Sequence, residues 1–203
     1  PPQIEQPEIK VQGKRIRVQL EDTLKADQTY TIDFSDAISD NNEGNPLGNY
    51  TFTFSTGNRI DTMEVSGYVL DAETLEPVKG LLVGLYDAAD FNGENGDTIF
   101  RKLPMLRVSR SDEKGRYVIK GVARDKIYRV FALQDADGTY TFSQKSEMIG
   151  FTDRTASPDC FPDTRLDTIW ADALHIKSFV TVPYTHFTPD DIVLRVFQEE
   201  QPE

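Results

Sequence analysis

Tyr50-Thr51-Phe52-Thr53-Phe54 alternates aromatic side chains with threonine, so all three rings fall on one side of an extended chain. The same period of two runs through Tyr30-Thr31-Ile32-Asp33-Phe34, Val65-Ser66-Gly67-Tyr68-Val69 and Leu82-Val83-Gly84-Leu85-Tyr86. It returns in Tyr117-Val118-Ile119, Tyr128-Arg129-Val130-Phe131-Ala132-Leu133 and Ile192-Val193-Leu194-Arg195-Val196-Phe197. Short runs of β-branched and aromatic residues of this kind form strands with one face buried. Turn spellings separate them: Asn41-Asn42-Glu43-Gly44-Asn45-Pro46, Asp112-Glu113-Lys114-Gly115 and Asp135-Ala136-Asp137-Gly138. No stretch of about a dozen residues carries a clean helical stripe, and a helical turn or two is expected only near Leu24-Lys25-Ala26 or Asp172-Ala173-Leu174. The pattern predicts an all-β chain of packed sheets.

At 203 residues the chain has room for one large domain or two small ones, with a core that needs no disulfide or metal. The single cysteine, Cys160, excludes an internal disulfide and any multi-cysteine zinc site. A formal charge of −12 argues against nucleic acid and against anionic lipid, both of which require a cationic face. No apolar run approaches the ~18 residues of a membrane helix. The sequence opens Pro1-Pro2 with no signal-peptide core, and is expected to be a processed or trimmed piece.

A boundary is expected near Gly57-Asn58-Arg59-Ile60-Asp61, where one series of strands ends and another starts at Val65. This divides the chain into residues 1–60, residues 61–145 and an extension, 146–203, that either completes the second unit or stands apart. The short linker predicts two units packed against each other. The extension carries four basic and eleven acidic residues and has the least regular pattern. Within it, Thr152-Asp153-Arg154-Thr155-Ala156-Ser157-Pro158-Asp159 reads as a loop, and Ile192–Phe197 as a further strand.

Leu24, Tyr30-Thr31-Ile32, Asp40-Asn41-Asn42-Glu43-Gly44-Asn45-Pro46-Leu47 and Phe52-Thr53-Phe54-Ser55-Thr56-Gly57 follow in order. This stretch resembles the second half of a bacterial Ig-like domain of the S-layer type, with Gly44 supplying positive φ in the loop. Since an Ig-type sandwich takes about 100 residues, the first unit is expected to be partial or reduced. Val65-Ser66-Gly67-Tyr68-Val69-Leu70-Asp71, Pro77-Val78-Lys79-Gly80-Leu81-Leu82-Val83-Gly84-Leu85, Asp112-Glu113-Lys114-Gly115-Arg116-Tyr117 and Tyr128-Arg129-Val130-Phe131-Ala132 are similar to the carboxypeptidase-regulatory-like, or transthyretin-like, β-sandwich. The two resemblances cover about half the chain. They imply tandem β-sandwiches, Ig-like and then carboxypeptidase-regulatory-like, with a β-containing C-terminal extension. They also imply a place in the Gram-negative cell envelope (periplasm or outer membrane surface), often with a lipid anchor, and no peptidase activity.

Asp135 and Asp137 place oxygen ligands at alternate positions of a turn, so calcium is the one cofactor this spelling would suit; a plain Asp/Gly hairpin turn is the favoured reading. Asp36, Asp40, Asn41, Asn42 and Glu43 form a second oxygen-rich cluster, read as Asx-type loop chemistry. His175 and His186 have no one-face metal spacing, and neither is near Cys160 in sequence. The acid pairs Asp190-Asp191 and Glu199-Glu200 read as solvated surface. Trp170 and Tyr184, in the acidic extension, are the candidates for stacking on a glycan; core cover is the competing reading. No nucleophile elbow, phosphate loop or zincin motif is present. The sequence therefore predicts a non-enzymatic structural or recognition module of the cell envelope, whose partners are envelope proteins or glycans. Its alternatives are a carbohydrate-binding module and an accessory domain of an enzyme whose active site lies outside these residues.

Overall fold

The computed structural model describes residues 5–34, 37–39, 44, 50–91 and 96–199. The first unit holds two antiparallel ladders. β1 (Glu8–Gln12) pairs with β2 (Arg15–Gln19), and β3 (Thr29–Asp33) with β4 (Thr51–Ser55). The period-two aromatics behave as the alternation predicts: Ile32, Phe34, Phe52 and Phe54 turn to one side, opposite Ile16, Val18 and Leu20. Between them lies an apolar groove of about 410 Å³. The oxygen-rich cluster of Asp36 and residues 40–43 lies outside the described residues, whereas Gly44 has the expected positive φ, +73°.

The rest of the chain builds one seven-stranded sheet in the order β7-β6-β9-β10-β13-β5-β8. Its strands are β5 (Met63–Asp71), β6 (Leu82–Asp87), β7 (Arg107–Arg110), β8 (Arg116–Val122), β9 (Tyr128–Leu133), β10 (Met148–Ala156) and β13 (Ile192–Gln198). All neighbours are antiparallel except β13 and β5, which run parallel. The two end strands, β7 and β8, come back into contact, so the sheet curls almost closed. Val65, Val69, Val83, Leu85, Ile119, Val130, Ala132, Leu194 and Val196 fill its interior and are completely shielded from solvent. Tyr117 lies among them and donates its hydroxyl proton to the Ile192 carbonyl at 3.1 Å.

On the outer face, Leu82, Tyr86, Phe131, Leu133 and Ile149 form a second cluster. It is covered by helix α1 (Gly96–Lys102), through Ile99 and Phe100, and by Phe142 from the 134–147 loop. This helix was not predicted, because seven residues are too few to show a stripe.

Strand β3 lies against β8 of the sheet. Asp61 donates its backbone N–H to the Thr29 hydroxyl at 2.9 Å, and its carboxylate accepts from that hydroxyl at 3.1 Å. Tyr30, next along β3, is buried.

The structure corrects the sequence reading most in the acidic extension. Thr152–Ala156 is not loop but the second half of β10. A register shift between Phe151 and Thr155 absorbs the polar Thr152-Asp153-Arg154 there, leaving Ala156 paired with Tyr128. Residues 146–203 also contribute two strands, β10 and β13, to the same sheet as β5–β9. Between these two strands the chain leaves the sheet in the longest ladder of the molecule, β11 (Asp159–Trp170) against β12 (Ile176–Thr188).

Candidate functional site

Asp135, Asp137 and the buried Glu147 bring carboxylate oxygens within 4.8 Å of one another, the one such acidic group of three among the described residues. Each is already engaged. Glu147 accepts from the backbone N–H groups of Ala136, Ser143 and Gln144 at 3.0–3.1 Å. Asp137 accepts from the hydroxyls of Ser143 (2.6 Å) and Thr139 (2.7 Å), and these bonds hold its pKa down at about 2. Asp135 accepts from the Thr139 N–H, while burial and the neighbouring Asp137 push its pKa up. The arrangement ties both ends of a loop to one buried carboxylate. Sequence spacing singled out Asp135 and Asp137 and set Glu147 aside, since Ser146 and not Glu147 holds the closing position of a twelve-residue calcium loop; its role as a loop anchor comes from the fold.

The cysteine and the two histidines do not converge. Cys160 pairs with Phe187 and His186 with Phe161, so their side chains lie on opposite faces of one ladder, and His175 sits in the turn at its far end. His186 is bonded at both nitrogens, Nδ1 to Asp163 at 3.2 Å and Nε2 to Asp190 at 3.0 Å. It stacks on Phe161 at 4.8 Å, and Tyr184 donates to Asp163 at 3.2 Å. With both nitrogens held by carboxylates, this group clamps the root of the ladder. A polar cleft of about 330 Å³ at the junction of the two units is lined by Asp27, Asp61 and Asp125 against Arg59, Arg107 and Lys126; it contains no histidine or cysteine.

The clamp makes a pH prediction. The hydrogen bond to Asp163, then the proximity of Asp190, raise the His186 pKa. The Thr164 N–H, then His186, lower that of Asp163. A raised imidazole pKa contributes stability that is complete below its unfolded value and disappears as pH climbs through the folded one. A lowered carboxylate pKa contributes stability that is complete above its unfolded value and disappears as pH falls through the folded one. The root is therefore held best between about pH 4 and pH 6.5, and its amide protons at 184–188 are expected to exchange faster as pH rises above neutral, after correction for intrinsic rates. His186→Gln should abolish that pH dependence; an unchanged profile in the variant would contradict the clamp.

Beyond its root the ladder is bare. Thirteen residues of β12 extend about 40 Å at the usual strand rise. Leu166 is 69% exposed, Trp170 57%, Leu174 84% and Phe179 59%. Leu166, Trp170, Ile176 and Phe179 share one face. Arg165, Asp167, Ile169, Val180, Val182 and Tyr184 share the other. The two glycan candidates therefore point to opposite faces, because Tyr184 opposes Asp163 and Trp170 opposes Ile176. They cannot form one stacking platform. Phe179, diagonal to Trp170 on its face, went unnoticed in the sequence. A two-stranded ladder is marginal by itself in water, and this one leaves large apolar groups exposed.

Residues 1–56 match the family model of a bacterial Ig-like domain. That match covers the first of the two resemblances read from the sequence and supports a structural, cell-surface kind of module in general. No curated protein matches the chain. Among solved structures, the T6 backbone pilin of serotype M6 Streptococcus pyogenes superposes at 9% identity with a TM-score of 0.28, over 70% of this chain and 33% of that one. The chain thus corresponds to about a third of the pilin's length, and at that score the likeness carries no argument about function.

Proposed function

We propose that this chain is a non-enzymatic structural module of the bacterial cell envelope, in which a rigid curled sheet holds out the β11–β12 arm as its organ of contact. The arm's exposed apolar face carries this reading. The Ig-like match at residues 1–56 supports the surface setting. We place the second unit in the carboxypeptidase-regulatory-like class. In its favour stand the positions of three of its motif segments. Val65 and Val69 point inward from β5, Pro77 bridges to Leu70, and the Asp112 carboxylate caps the turn by accepting from the N–H groups of Lys114 and Arg116.

Rigid display makes the arm dispensable for folding and necessary for attachment. Replacing Leu166–Thr181 with an Asn-Gly turn, which keeps Arg165 opposite Val182, is expected to leave the stability of the sheet within about 0.5 kcal/mol of the parent, because the distal arm is solvent-exposed beyond its root. The same variant should no longer co-sediment with isolated bacterial envelopes. Unfolding of the shortened chain, or undiminished co-sedimentation, would contradict the proposal.

A further inference from the structure

The outer edge of β11 is open, and its chemistry is specific. The N–H groups of Cys160, Thr164 and Thr168 bond to the carboxylates of Asp159, Asp163 and Asp167, at 2.7, 2.7 and 2.8 Å. They therefore point away from β12, and the even-numbered residues of β11 carry the outward amides. Both prolines of the arm obey the same alternation: Pro162 opposes Thr185 and Pro183 opposes Thr164. Pro183 interrupts the edge of β12 at its middle. Pro162 lies near the root of β11, so Thr164, Leu166, Thr168 and Trp170 present an unbroken row of amides. Among the described residues no strand pairs with this edge.

The stretch Thr164-Arg165-Leu166-Asp167-Thr168 complements itself when reversed. Laid antiparallel to a second copy about Leu166, it sets Arg165 opposite Asp167 of the second copy, twice, and Thr164 opposite Thr168. The even residues then form the hydrogen-bonded pairs. The two charge pairs fall in the non-hydrogen-bonded positions, where opposed side chains come closest. Neighbouring registers fail. Centring on Arg165 or Asp167 opposes like charges, centring on Thr164 demands an N–H from Pro162, and centring on Thr168 sets Asp167 opposite Ile169 and Arg165 opposite Ala171, forming neither ion pair. Neither Arg165 nor Asp167 has an ion pair within the described chain.

We propose that the arm pairs with the same arm of a second copy of this chain, β11 against β11 about Leu166, forming one four-stranded sheet. This rests on the reading of the arm as the contact organ, and it names the partner. The two-fold arrangement closes on itself and yields a dimer, not a filament. Both Leu166 side chains and both Trp170 side chains fall on one face of the joined sheet, which turns two marginal ladders into a stable unit. Asp163 and Asp167 give up their bonds to the Thr164 and Thr168 N–H groups, which turn to the second copy's backbone, and Asp167 takes Arg165 of the second copy instead. Until then, Asp159, Asp163 and Asp167 blunt the edge against indiscriminate pairing.

Sedimentation equilibrium of the full chain over a concentration series tests this. The parent is expected to dimerise. Arg165→Asp should raise the dissociation constant about tenfold or more, and adding Asp167→Arg to it should restore the constant to within about threefold. Thr168→Pro removes an outward amide that β12 does not use, so it should abolish the dimer and leave the far-ultraviolet dichroism unchanged. A parent that stays monomeric, a dimer indifferent to Arg165→Asp, or a charge exchange that fails to restore it would overturn the proposal. If pairing fails while the shortened arm still loses envelope co-sedimentation, the contact-organ reading stands without it; if neither effect is seen, both readings fall.

Discussion

Gly67→Ala is expected to destabilise the chain by roughly 4 kcal/mol or more, enough to leave much of it unfolded at ordinary temperatures. Gly67 lies on β5 at the point where β13 runs beside it in the sheet's one parallel pairing, opposite Ile192. A Cβ there would stand 1.8 Å from the Ile192 carbonyl oxygen and 2.8 Å from its nitrogen. Both obstacles are backbone, so no rotamer change relieves the clash, and β13 would have to move off β5. That movement also removes the acceptor of the Tyr117 hydroxyl, which crosses the interior to reach the same carbonyl. A useful control is Gly13→Ala, where φ is +58° but nothing lies within 4 Å of the added carbon. It should cost only about 1 kcal/mol, through backbone strain. Urea unfolding of the two variants separates clash from strain, and equal losses would contradict the account of the β5–β13 contact.

Glu147→Ala is the second large effect, expected at roughly 4 kcal/mol. Glu147 is 1% exposed and is the common acceptor for the N–H groups of Ala136, Ser143 and Gln144. Alanine strands all three donors where water cannot readily replace the carboxylate. The loop they close carries Phe142, which stacks on Phe100 at 5.8 Å and lies under the Arg101 guanidinium at 4.4 Å. Losing the anchor therefore also uncovers part of the outer cluster. Glu147→Gln keeps one accepting oxygen and turns an amide N–H toward a donor, so it should fall between parent and alanine. Because the three carboxylates are engaged by donors of their own loop, the thermal midpoint of the parent is expected to be the same with chelator as with added calcium. A calcium-dependent rise would show that Asp135, Asp137 and Glu147 are metal ligands instead.

The strands of the curled sheet were legible in the sequence because burial on one face leaves a record in it. Val65 and Val69, Tyr117 and Ile119, and Val130 and Ala132 recur at alternate positions because only the inward positions meet other side chains. The arm left no such record. Both of its faces meet solvent: Thr164, Thr168 and Thr181 share one with Leu166 and Trp170, Asp163 and Asp167 the other with Ile169 and Val180, so the alternation is not one of apolar against polar. Trp170 and Tyr184 looked like partners because sequence cannot show how two strands are set against each other. Here odd residues of β11 oppose even residues of β12, which sends the two rings to opposite faces. Asp135 and Asp137 were visible as a turn, but Glu147 gains its meaning from a loop closure that composition does not encode. Helix α1 was hidden by its shortness, although Ile99 and Phe100 are the residues that seat it.

The chain has a single tryptophan, and it stands near the tip of the arm. Acrylamide quenching of its emission therefore reports on the arm alone. In dilute protein, Trp170 should be quenched nearly as readily as free tryptophan, while the curled sheet retains its full cooperative unfolding transition. A tryptophan shielded from quencher in the isolated, folded chain would mean that the arm lies against the body, and that no surface is being held out.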